Sequence, residues 1–87
     1  MGEDSELFRE LAEQMDWLTI NQEMKYLFGQ WVKIPVGDEK KRFGGSLKSL
    51  EKARRNIESR GEKLNPRLRA NFALLRIRYG KYVEEDS

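Results

Sequence analysis

Apolar residues in this chain recur every three or four positions, with one short exception around residues 32–36, and that period restricts the fold to helices each buried along a stripe. Leu7, Phe8, Leu11, Ala12, Met15 and Leu18 share one side of a helical wheel, opposite Arg9, Glu10, Glu13 and Asp16. With Asp4 and Ser5 as caps, this spacing predicts a first helix over about 5–18. Thr19-Ile20-Asn21-Gln22 matches a capping box, in which Thr19 accepts from the backbone and Gln22 reaches back. A second helix is therefore expected over about 20–31, burying Ile20, Met24, Leu27, Phe28 and Trp31. Gly29 interrupts it and supplies a C-terminal cap.

The exception, Val32-Lys33-Ile34-Pro35-Val36-Gly37-Asp38, alternates like a strand and then breaks. Pro35 removes a ladder donor and a lone hairpin is marginal, so 32–46 reads as an extended loop, with a short hairpin to Lys40–Phe43 as the alternative. Gly44-Gly45-Ser46 then announces a third helix over 47–60, capped by Ser46 and buried along Leu47, Leu50, Ala53 and Ile57, with Gly61 closing it. Asn65-Pro66 pairs a good cap with a residue preorganised for the first helical position, opening a fourth helix over 66–79.

The fourth helix has two apolar faces, Leu68, Phe72, Leu75 and Tyr79 on one and Ala70, Ala73, Leu74 and Ile77 on the other, separated by arginine ridges. Such a helix is central in its bundle, or it shares one face with a partner, in which case Leu74 and Ile77 form a homodimer seam. The expected fold is all-α: a small four-helix bundle-like domain with an extended loop between its second and third helices. At 87 residues one modest core is the limit, so residues 1–87 are expected to form a single helical domain that ends in an acidic tail, 84–87.

The chain contains neither cysteine nor histidine, which removes disulfides, thiolate chemistry and the common zinc ligand sets. The carboxylate pairs at helical spacing, Glu6 with Glu10 and Glu10 with Glu13, have polar neighbours and read as a solvated face. No catalytic residue, metal site or cofactor is expected, and the chain is not expected to be an enzyme. Its acidic start lacks the charged-then-apolar form of a secretory signal, and no apolar run approaches the roughly 20 residues of a membrane helix. A cytoplasmic location without membrane attachment is the expectation.

The net charge of +2 conceals an asymmetry. Residues 1–37 hold seven acids against three bases, whereas residues 40–81 hold fourteen bases against three acids. An acidic half folded onto a basic half would cancel part of that field. Lys40-Lys41-Arg42-Phe43-Gly44-Gly45-Ser46 nevertheless combines three cations, two glycines that let backbone approach an anion, and the free amides of a helix start. It lacks the Gly-Lys-Ser/Thr ending of a nucleotide-binding loop. Lys48, Lys52 and Arg55 continue the basic surface along one helix face, although pairs such as Glu51 with Arg55 would solvate it.

The turn between the third and fourth helices is too long for a DNA-reading helix-turn-helix, so backbone recognition is favoured over base reading in the major groove. The expected function is non-catalytic binding of a DNA or RNA phosphate backbone. The site comprises Lys40, Lys41, Arg42, Gly44, Gly45, Ser46, Lys48, Lys52 and Arg55. The alternative is a small protein-interaction module, an inhibitor, adaptor or assembly subunit, docking its basic surface on an acidic partner. Trp17, which lies off the first apolar stripe among acids, would join Leu74 and Ile77 as its anchors.

Overall fold

The computed structural model describes residues 2–80 and consists of four α-helices: α1 (Gly2–Gln14), α2 (Trp17–Lys33), α3 (Asp38–Ser59) and α4 (Pro66–Tyr79). The acidic tail at 84–87 lies outside the described residues. The all-α, four-helix bundle-like fold is as the apolar period requires. α1 begins at Gly2, ahead of Asp4 and Ser5, and four further boundaries differ from those expected, the end of α1, both ends of α2 and the start of α3.

The first corner falls at Met15-Asp16, earlier than expected. Asp16, a stronger N-cap than Thr19, accepts from the Thr19 amide at 2.8 Å, which places Thr19 inside the first turn of α2. Met15 and Ile20 take the flanking positions of a hydrophobic staple, and both are buried. Trp17 and Leu18 consequently open α2 instead of ending α1, with Leu18 exposed. Gly29 does not end α2 either, since the helix runs on through it to Lys33.

The largest departure concerns 32–46. The non-helical connection is confined to 34–37, no hairpin forms, and α3 starts at Asp38 with Gly37 as its cap. Gly44, Gly45 and Ser46 are therefore helix interior. Two adjacent glycines cost a helix up to about 2 kcal/mol relative to alanine. Burial on the same helix offsets that cost: Phe43 and Leu47, on either side of the glycines, are both fully buried. Asp38 and Glu39 in the first turn also complement the helix dipole.

The remaining signals hold. Gly61 adopts a left-handed φ of 69° after α3, and the bonds from the Gly61 amide to Glu58 and from the Glu62 amide to Ile57 complete a Schellman motif. Asn65 caps α4 by accepting from the Leu68 amide at 2.7 Å, with Pro66 in the first turn.

α4 packs against each of the other three helices, which accounts for its two apolar faces. Leu68, Phe72, Ala73, Leu75 and Tyr79 are buried, Ile77 is half-buried and Leu74 is exposed. The core joins these to Met15, Ile20, Leu27, Ile34 and the α3 residues Phe43, Leu47 and Leu50. Phe43 and Tyr79 stack face to face, centroids 3.9 Å apart, fixing the start of α3 to the end of α4. No described helix is long and apolar enough to cross a membrane.

Candidate nucleic-acid interface

The continuity of α3 changes what its basic residues present. An anion site made from free amides at Gly44, Gly45 and Ser46 does not exist, because in a helix interior those amides are committed to the preceding turn. The true helix start carries Asp38 and Glu39, which repel an anion there. What this face can offer an anion is therefore side chains alone.

On the α3 wheel Lys41, Lys48, Lys52 and Arg55 form one ridge over about 21 Å, away from the buried Phe43–Leu47–Leu50 stripe. All four are exposed. Arg55 is bound to Glu51 at 2.7 Å, so its charge is partly answered within the helix. Among the described residues Lys41, Lys48 and Lys52 have no acid within ion-pair distance. Arg42 points to the α4 side of the ridge and Lys40 to the α2 side.

Lys40 and Gly44 belong to the packing of α2 on α3. The Lys40 ammonium lies 4.8 Å from the centroid of the Trp31 ring, and the Trp31 Nε1 donates to the Lys40 carbonyl at 2.9 Å. A Cβ on Gly44 would come 2.8 Å from Trp31 Nε1, so glycine is required at that crossing.

The ridge is flanked by two clefts. On the α2 side, Trp31, Val36, Gly37 and Lys40 face Lys41, Gly44, Gly45 and Lys48 around about 440 Å³. On the α4 side a wider groove of about 990 Å³ brings Lys41, Arg42 and Ser46 together with Asn71, Leu74 and Arg78. Gly45 and Lys41 line both. The structure thus unites Leu74, expected at a separate protein seam, with the basic cluster. Trp17 and Ile77 lie outside both clefts.

Val36, Asn71 and Arg78 are not marked as site residues by the sequence, whereas Trp31 is one of the aromatics able to stack on unpaired bases if exposed near the cations. Trp31 falls on the core face of its own helix, and only the α2–α3 crossing reveals that part of its indole borders a cleft. For Asn71 and Arg78 the signal was present but unread: both lie on the α4 strip that also carries Leu74.

Away from this face, Glu23 is buried and paired to Arg76 across α2 and α4, with the Arg76 guanidinium 4.6 Å from the Tyr26 ring centroid. Burial pushes the Glu23 carboxyl above its ordinary value, while the charge and hydrogen bond of Arg76 oppose the shift. Among the described residues no group of three or more acidic side chains is placed to hold a metal ion.

Comparison with protein-family models, curated proteins and solved structures returns no match. The functional reading therefore rests on the geometry of the α3 face alone.

Proposed function

We propose that the chain is a non-catalytic nucleic-acid-associated protein that holds a DNA or RNA phosphate backbone on the exposed face of α3. The observation that carries this reading is the ridge itself: Lys41, Lys48 and Lys52 project from one rigid helix face without acidic partners among the described residues. Cations so placed repel one another and gain from a polyanion that releases its counterions.

Lys41, Arg42, Lys48 and Lys52 carry the contact, and Arg55 contributes less because Glu51 competes for it. Four neutralised phosphates give a slope of log affinity against log salt near −3.6 on duplex DNA, about −0.9 per contact. Anisotropy titrations of a labelled duplex across salt concentrations test this. The combined substitutions Lys41→Glu, Lys48→Glu and Lys52→Glu should abolish binding at low salt while leaving the helical circular dichroism signal intact. Binding that ignores salt, or survives the triple reversal, sinks the proposal.

One observation favours a second reading, docking on an acidic protein. Leu74 is 41 % exposed between Arg42 and Arg78, an apolar anchor with a cationic rim. Under that reading a partner is retained after nuclease treatment and lost on Leu74→Ser.

A further inference from the structure

Two glycines stand in the middle of α3, where each lowers helix stability relative to alanine. Only one has a reason inside the fold. Gly44 makes room for Trp31, as its 2.8 Å approach shows. A Cβ on Gly45 would meet nothing within 4 Å, and its φ is not in the left-handed region. Neither packing nor backbone geometry requires glycine there.

Gly45 sits where the two clefts meet, between Lys41 one turn before it and Lys48 one turn after. The absent side chain makes a low saddle across the basic ridge. On one side of that saddle is a cleft of about 440 Å³, within the size range of small-ligand sites, walled by the half-buried Trp31 and by Val36, which is 91 % exposed. An aromatic wall beside a track of cations is the combination by which proteins hold unpaired strands, the cations taking phosphates and the ring taking a base.

We infer that this saddle is a crossing point for single-stranded nucleic acid: the strand passes over Gly45 with its phosphates on Lys41 and Lys48, and one unstacked base enters the cleft against Trp31 and Val36. The inference rests on the backbone-binding reading above and adds base recognition and strand type to it. The Lys40 ammonium, now over the Trp31 ring, is displaced by the base and joins the neighbouring phosphate. A duplex hides the faces of its bases and would have to unpair one to fill the cleft, so it gains only the ridge contacts.

The test compares an oligothymidine strand, an abasic strand of equal length and the thymidine–adenine duplex, by anisotropy on the unsubstituted protein and by Trp31 emission in a Trp17→Phe variant. The thymidine strand should bind at least about fivefold more tightly than the abasic one and change Trp31 emission. Gly45→Gln, which fills the saddle without altering charge, should raise the melting temperature and reduce the thymidine strand to the affinity of the abasic strand. Equal affinity for thymidine and abasic strands with unchanged emission overturns the base cleft and leaves the backbone reading standing, as does a duplex that binds as tightly as the thymidine strand. A Gly45→Gln protein that folds and retains the thymidine preference overturns the crossing point. No salt-dependent binding of any of the three overturns both readings.

Discussion

Glu23 shows how one side chain sets a pH dependence that the charge map does not announce. The residue is 4 % exposed, Oε1 is taken by Arg76, and Oε2 has no partner. Burial raises its pKa above the ordinary 4.5, so the folded chain holds the Glu23 proton more tightly than the unfolded chain does. The stability this confers is fully present below 4.5 and is lost as pH rises through the raised folded value. Glu23→Gln keeps an oxygen acceptor for Arg76 and removes the titration. Urea denaturation of both proteins at about pH 4.5 and about pH 7 should show the stability of the native chain falling relative to the variant as pH rises. A difference that does not change with pH contradicts this. Asp16 runs the other way: hydrogen bonds from Thr19 lower its pKa, so its capping contribution is lost as pH falls below the ordinary 3.8. The two effects occupy separate pH ranges. In the sequence Glu23 already sits on the Ile20–Met24–Leu27 face, but its partner lies 53 positions away, and only tertiary packing shows the acid to be buried with a counter-charge.

Among the elements, α1, α2 and α4 were legible as helices because their signals are local: an apolar period, a capping residue, a proline at the first turn. The first half of α3 was not. Gly44 and Gly45 carry the local signature of a break, and the information that overrides it resides in Trp31 on another helix and in the burial of Phe43 against Tyr79. The glycines of the two central helices should therefore respond differently to the same change. Gly29 is exposed in α2 with open space around it, and Gly29→Ala should stabilise the protein by up to about 1 kcal/mol. Gly44→Ala should destabilise it by about 1–3 kcal/mol despite the better helix propensity, because the new methyl group meets Trp31 Nε1 and disturbs its bond to the Lys40 carbonyl. Thermal melts of the two variants check both signs. At the start of α4, where the cap was read correctly, Asn65→Ala should cost about 1 kcal/mol through the lost bond to the Leu68 amide.

For the molecule as a whole, the question is whether the acidic and basic halves neutralise each other. α1 packs principally on α4, and its exposed Glu6 and Glu10 make no ion pair with α3 among the described residues. The arginines drawn into internal contacts lie elsewhere: Arg76 on Glu23, Arg69 on the Glu13 carbonyl, Arg54 on Asn21 and Glu58. Charge is thus answered by acids at Arg76 on α4 and at the far end of α3, and left unanswered at Lys41, Lys48 and Lys52 among the described residues. An anion site built on helix-start amides at Gly44, Gly45 and Ser46 follows from placing the start of the helix at 47, whereas α3 begins at Asp38 and leaves only side chains to face an anion there. This distribution separates two kinds of electrostatic variant. Under the proposed backbone binding, Lys48→Gln with Lys52→Gln removes two phosphate contacts, so the salt slope on duplex DNA should shrink by about 1.8. Glu6→Gln with Glu10→Gln removes only a distant repulsion. It should speed association and strengthen binding at low salt and lose its effect once the Debye length falls to about 8 Å near physiological salt, so its slope becomes steeper where that of the lysine variant becomes shallower. Anisotropy titrations of both variants over the same salt series distinguish the cases. Equal slopes for the lysine variant and the native chain would mean that the polyanion is held somewhere other than α3.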